Sequence, residues 1–438
     1  MKKTLLALVL ICITFASQAQ DTIRSYWKNN RLMSEGVKIN DKEEGYWSFY
    51  YTNGTKWTEG HYKNGEKIGV WKVWYDNTSR WEEFELPTGK FTSWYLNGQE
   101  ELSGQMVNGK REGEWIFYHQ NGKLFKKCTY LKDSVHGYVE EFFDNEQLHF
   151  KGEYINGALN GYAYWYTKEG LPEMEGKSIN NLQDSTWIFY HPNGTIGSKG
   201  NFVNGQQEGV WNFYFESGKQ WRRGSYETGK RTGMWEAKYE SGKKQRMGAF
   251  VNDMEEGKWV QWYENGHIQD EGSFKAGKMH SHWIGYYPDG VLKYKMNYAN
   301  GAKHGSYQYW NFNGTKKSTG KYANDLKEGK WVEYAQNGQL LETGTYKKDM
   351  KNGMFVFYGV RGHKIKEQNF VDDMSTGSFV EYYPNEKKQV QGSFKNHHRH
   401  GIWSYWDDKG KMIYSVEYVN GKKQRVIVDL NSKINKPF

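Results

Sequence analysis

Residues able to do covalent or metal chemistry are few in this chain, and most fall in positions that recur. Cys128 stands in the segment Lys126-Lys127-Cys128-Thr129-Tyr130. Two lysines beside a thiol can favour the nucleophilic thiolate, but no histidine is spaced to serve it as a base. The residue also takes the place of a glycine in a repeated pattern, so a semi-buried structural thiol is expected. The densest histidine group, Asn396-His397-His398-Arg399-His400, holds enough imidazoles to interest a transition metal. His400, however, shares a repeated slot with His136, His280 and His304. Neighbouring occupants of that slot, two strands apart, would be separated by about 9.6 Å, too far to share an ion. Carboxylate pairs such as Glu43-Glu44, Glu82-Glu83, Glu140-Glu141 and Glu255-Glu256 flank glycine turns or lie on strands and read as solvated charge. No glycine-rich phosphate loop follows a strand and opens a helix. The expectation is a non-enzyme with no catalytic residue, no metal and no cofactor.

The elements around these residues are set by composition. Aromatic residues make up 17% of the 438-residue chain, with 50 glycines and only 6 prolines. That balance suits many short strands and tight turns. Residues 1–19 combine Lys2-Lys3, an apolar run from Leu5 to Ile13 and a small-residue site at Ser17-Gln18-Ala19, the pattern of a signal peptide. The protein is therefore expected to be exported and to reside in the periplasm, at the outer-membrane periphery or outside the cell. Loss of the leader removes Cys12, Lys2 and Lys3, which leaves Cys128 alone and lowers the formal charge from +9 to +7. Packing and backbone bonds, not disulfides, must then hold the fold. The charge is spread thinly, which argues for solvation and weak attraction to anionic surfaces rather than for nucleic acid.

One periodicity dominates. Sixteen positions, from Trp47 and Trp71 through Phe91 to Trp403, each follow a turn slot and are followed three residues later by a second, usually aromatic, residue. From Phe91 onward the step is always 24 residues; the step from Trp71 to Phe91 is 20, which places a loss of four residues near Ser79 to Pro87. Fourteen of the sixteen are aromatic, Val139 and Ala163 being the exceptions. A whole unit reads Gly209, Trp211, Tyr214, Ser217-Gly218, Gly224, Tyr226, Gly229. Asn53-Gly54, Asn97-Gly98 and their equivalents fill a first turn slot, and Asn64-Gly65, Asn108-Gly109 and theirs a second, as hairpin turns in which both residues accept positive φ. Pro192, Pro288 and Pro384 precede the first slot. Two turns per unit predict an all-β, elongated single-sheet antiparallel β-meander of tandem 24-residue hairpin repeats. The boundaries follow: 1–19 signal peptide, 20–44 degenerate N-terminal capping repeat, 45–424 about sixteen repeats, 425–438 C-terminal cap and tail.

The tryptophan column is expected to be structural. By alternation the ring three residues on faces the other way, so Tyr118, Tyr190, Tyr214, Tyr334 and Tyr358 form the candidate binding stripe.

Gly-x-Trp-x-x-Tyr-x-x-Asn-Gly followed by Gly-x-Tyr-x-x-Gly resembles the variant MORN repeat of the YwqK-type antitoxin family. Asn300-Gly301-Ala302-Lys303-His304-Gly305 adds the Gly-x-x-His-Gly link common in such repeats. The resemblance covers about residues 22 to 428 and implies a hairpin-repeat solenoid serving as scaffold or partner-binding module. Its antitoxin label implies neutralisation of a toxin by binding, although a signal peptide departs from an intracellular antidote. The leading expectation is an extended protein-interaction scaffold in the bacterial envelope, of the antitoxin or immunity kind if its target lies there. The alternatives are an aromatic-rich glycan or cell-wall binding module and a binder of anionic lipid surfaces.

Overall fold

The computed structural model describes residues 21–430; the signal-peptide reading of 1–19 and the last eight residues of the tail lie outside them. The described residues are nearly all strand and turn, and within each unit successive strands pair antiparallel, as Lys42–Tyr50 does with Lys56–Lys63 and Gln206–Tyr214 with Gln220–Glu227. Two compact units divide the chain, one running to Ile196 and including Phe202–Gly205, the other comprising Gly197–Asn201 and Gln206 onward. Within each unit the meander repeats one hairpin module, seen in Gln206–Tyr214 and Gln220–Glu227.

The two turns of the module differ. In the second slot the expectation of a two-residue turn holds: Asn64 and Gly65 have φ of 52° and 84° between the paired Lys63 and Glu66, a type I′ geometry. In the first slot it does not. Only the glycine is left-handed, Gly54 at φ 89°. The Gly54 N–H donates to Tyr51 O at 2.9 Å and the Tyr51 N–H to Thr55 O at 2.8 Å. This is a three-residue loop built on a type I turn and closed by a left-handed residue. The asparagine side chain then ties the loop to its surroundings. Asn53 Oδ1 accepts the Thr55 N–H at 2.9 Å, while its Nδ2 donates to Asp76 O, one unit on, at 3.1 Å. Pro192 occupies the second position of the same turn, where its fixed φ is favoured.

The repeated glycines also divide by role. Those two residues before the column ring, such as Gly233 at φ 62° and Gly257 at φ 67°, sit at a bulge where the ladder register breaks. Ser185 and Ser281 take the same conformation, at φ 58° and 60°. Those two residues before the second-strand aromatic lie beneath a ring. A Cβ added at Gly200 would come 2.2 Å from Trp211 Cδ2, and at Gly272 2.2 Å from Trp283 Cδ2. The indole N–H then donates to the backbone carbonyl of the residue after that glycine: Trp187 to Lys177 O at 2.8 Å, Trp259 to Ala249 O at 3.2 Å, Trp403 to Ser393 O at 3.1 Å. Tryptophan suits the slot because it supplies both a flat apolar cover for a bare backbone and a donor for its carbonyl.

These rings are buried although no second layer covers them among the described residues; Trp71 is 0% and Trp211 2% exposed. Aromatic residues of the second strands wedge between them edge to face. In the second unit Trp235, Phe250, Trp259, Phe274 and Trp283 follow one another at 6.0, 5.1, 6.0 and 5.1 Å. Such pairs contribute roughly 0.5–1.5 kcal/mol each beyond area burial. Long cations lie over them, as Arg399 over Trp403 at 4.5 Å and Lys327 over Trp331 at 4.3 Å.

The shortened repeat shows what the bulge needs. Strands Arg80–Leu86 and Gly89–Trp94 meet through Pro87 and Thr88, and their register runs without a break. The four missing residues are thus lost around the second turn, at the far end of the segment expected from the sequence. Gly89, unlike its equivalents, is not left-handed.

Candidate functional site

The residues singled out for chemistry are taken up by this scaffold. Cys128 pairs across the ladder with Val139 and is 1% exposed, more enclosed than expected. Burial pushes its thiol up, against the opposing influence of Lys126; the two lysines do not activate it. The pairing explains the exception in the column: where Val139 replaces tryptophan, the glycine beneath can be a cysteine. At the other small residue, Ala163, Phe150 and Leu159 close over Gly152 instead. Two histidines of the dense cluster, His397 and His400, serve turns. His397 Nδ1 accepts the Ser375 N–H at 3.2 Å, as Asp253 Oδ1 accepts the Arg231 N–H at 3.0 Å. His400 Nδ1 faces the Asn420 N–H at 3.5 Å, where Glu256 Oε2 holds the Ala276 N–H at 2.8 Å and Glu44 Oε2 the Asn64 N–H at 2.8 Å. Glu44 and Glu256 are therefore turn acceptors spaced by the repeat.

The tyrosine stripe is less open than alternation suggested. Tyr118, Tyr190, Tyr214, Tyr334 and Tyr358 are all half-buried. The Tyr190 hydroxyl donates to Glu175 Oε1 at 2.9 Å, and its pKa is pushed up to about 12, by burial first and then by that carboxylate. Tyr50 and Tyr382 bond Glu35 and Glu367 in the same way. Elsewhere a basic residue lies across the equivalent ring, as Arg80 over Trp94 at 5.1 Å. Near the turn the neighbouring strand reaches these rings, whereas it leaves open the residue just before the column ring. That residue forms an exposed column, apolar in eight of the sixteen units and polar in the others, such as Lys90, Glu114, Lys258 and Lys330: Tyr138 and Tyr162 are 63% and 61% exposed. Tyr46, Val70, Val210, Met234, Met354 and Ile402 belong to the same column. Beside them, two residues along from Tyr138, Glu140 pairs across the ladder with Lys151 at 3.1 Å. Alternation counted from the tryptophan would have found this column had the parity been followed backward as well as forward.

The tryptophan face carries a second feature, invisible to the repeat pattern. Two residues after the column ring stands a variable residue, Phe117, Phe189, Phe213, Ala237 and Gln261 in successive or nearby units. It pairs with an equally variable residue of the second strand: Phe213 and Ala237 both flank Arg222, and Ala237 and Gln261 both flank Arg246. Where Ala237 replaces phenylalanine a cavity of about 370 Å³ opens. Trp221, Trp235, Trp259 and Trp262 wall it, with Arg222 and Arg246 reaching along it. Arg222 stacks on Phe213 at 4.6 Å and Trp221 at 4.9 Å, and Arg246 on Trp259 at 4.2 Å. Burial pushes the Arg222 guanidinium down. Burial likewise raises the carboxyl of Asp270, next along the row, against the pull of Arg246.

The hairpin geometry agrees with a known repeat family. The MORN repeat variant matches residues 43–64, 111–132, 183–204, 255–276, 279–300, 327–348, 375–396 and 399–420, all in one phase. Among solved structures, the chain is similar to a TcdB2-TccC3-Cdc42 crystal structure at 12% identity, covering 93% of this chain and 26% of that one, with a TM-score of 0.15. It is similar to a Photorhabdus luminescens Tc holotoxin pore at 11% identity, covering 91% and 26%, with a TM-score of 0.16. The chain thus spans about a quarter of the length of these solved chains. No curated protein matches it. Eight matched repeats in register with the observed hairpins make the chain a MORN-repeat protein, a scaffold built from a repeated binding-type module.

Proposed function

We propose that the chain is a non-enzymatic, exported scaffold that binds a protein partner through the exposed column on the face opposite the tryptophans. The observation that carries this reading is the adjacent pair Tyr138 and Tyr162, more than 60% exposed and without a packing duty. Apolar rings rimmed by ion pairs such as Lys151–Glu140 suit a protein interface, where tyrosine is favoured and charge is kept to the edge. Column residues recur every two strands, about 9.6 Å apart, so a partner engaging several units gains avidity. The absorption of Cys128, His397 and His400 into packing and turns supports a binder over a catalyst. Toxin neutralisation in the envelope is one form such binding can take.

The test is affinity capture by the tagged mature chain, beside a Tyr138→Ser/Tyr162→Ser variant, from the envelope fraction of the producing organism. One protein held near stoichiometry by the parent and lost from the variant supports the reading. Equal capture by both, or recovery of glycan or lipid alone, overturns it.

A further inference from the structure

We propose that the cavity at Ala237 binds a monoanionic carboxylate carried on a flat apolar body. Two half-buried arginines there have no close acidic partner. The Nε atoms of Arg222 and Arg246 are closed to solvent without a hydrogen-bond partner. Arg246 has only a long ion-pair contact, its Nη2 lying 3.6 Å from Glu255 Oε1. Among the described residues no carboxylate stands within ion-pair distance of Arg222, whereas nearby Arg231 is matched by Asp253 at 2.9 Å. An arginine does not relieve such a position by losing its proton. Both side chains are half-buried, Arg246 36% exposed, so the outer N–H groups of each guanidinium keep contact with water and are the ones an anion can reach.

The shape of the site selects among anions. Each guanidinium is stacked by its face on rings, which leaves its N–H edge to be met, and a carboxylate accepts two parallel N–H bonds from that edge. The tryptophan walls offer flat apolar surface to whatever carries the carboxylate. Half-buried Asp270 is next in the row beyond Gln261. This acidic neighbour opposes a dianion such as phosphate, so the ligand carries a single charge. The cavity lies on the tryptophan face, away from the exposed column, and the two sites are separable.

Calorimetric titration of the full-length chain with benzoate, and with inorganic phosphate at matched ionic strength, tests the assignment. Saturable one-site binding of benzoate is expected, with no comparable phosphate binding. Arg222→Gln should weaken benzoate at least about tenfold, the scale of a lost charge-assisted pair. Ala237→Phe should abolish binding while keeping both arginines, and it should fold, since Phe213 holds the same slot one unit earlier. No saturable benzoate binding, phosphate binding of equal strength, or an Ala237→Phe chain that is folded by circular dichroism and binds benzoate as well as the parent would each overturn the proposal.

Discussion

Replacing Gly320 with alanine isolates the contact on which the fold depends. The new methyl would lie 2.3 Å from both Cδ2 and Cε2 of Trp331. The ring has nowhere to retreat: it is 2% exposed, its Nε1 donates to Lys321 O at 3.1 Å, and Tyr322 meets it edge to face at 5.1 Å. Overpacking of this kind costs about 1–3 kcal/mol. Displacement of the indole forfeits a hydrogen bond of about 1 kcal/mol. Restricting the unfolded chain at a former glycine returns about 0.4–1 kcal/mol. The expected net loss is therefore ~2 kcal/mol. Trp331→Val alone should lose about 3 kcal/mol by leaving a void. The double variant imitates Cys128 over Val139 and should lose less than the two single losses together, by at least about 1 kcal/mol in a double-mutant cycle. Because neighbouring units stabilise one another locally, amide exchange in Lys316–Ala323 and Leu326–Tyr334 is the sensitive readout, with urea unfolding beside it. A Gly320→Ala chain as stable as the parent, or a double variant showing no coupling, would refute the account of the glycine and ring as one unit.

Four further outcomes follow from the same geometry. Gly233→Val should lower the melting temperature clearly more than Gly233→Asn, since φ is 62° with no side chain near and asparagine tolerates that region. Glu256→Ala should speed exchange of the Ala276 amide by removing its acceptor, a loss of about 1 kcal/mol. Tyr190, Tyr322 and Tyr346 are pushed up to about 12 from 10.0. Their neutral forms therefore favour the folded state fully below pH 10, and that stability is lost as pH rises from there through about 12. Tyrosinate absorbance and circular dichroism recorded together should show ionisation accompanying unfolding. Cys128 should resist a thiol reagent in the native chain and react after denaturation, because it is buried and its thiol is held up by burial.

The repeat phase and the meander could be read directly, because a 24-residue step with two Asn-Gly slots leaves room for little else. The turns were half legible. Asn-Gly marks the two-residue hairpin at Asn64-Gly65 and the three-residue loop at Asn53-Gly54 alike, and only the backbone tells them apart. Two glycine columns were legible as columns but not as different devices; a left-handed bulge and a bare floor for a ring leave the same letter. The exposed face was legible in parity but not in degree, since Glu175 beside Tyr190 lies fifteen residues away on the preceding strand. The cavity at Ala237 was hidden for another reason. Its variable residues break no motif, and their relation appears only when Arg222 and Arg246 are paired across the ladder.

The bonds that join one unit to the next follow the length of the unit they cross. Tyr51, Tyr95, Tyr239 and Tyr383 each donate a hydroxyl to the carbonyl 23 residues ahead, and the turn asparagines Asn97 and Asn313 do the same from their amides. Every such bond reads only the distance to its neighbour and never the unit's place in the chain. Gene duplication or loss of a whole 24-residue block between such units therefore leaves each remaining donor facing an equivalent acceptor, and the unit shortened at its second turn does the same: Tyr75 donates to Trp94 O, nineteen residues ahead, at 3.2 Å. Length in this molecule is a heritable variable, and a lineage can adjust how many contacts it offers without redesigning a single one.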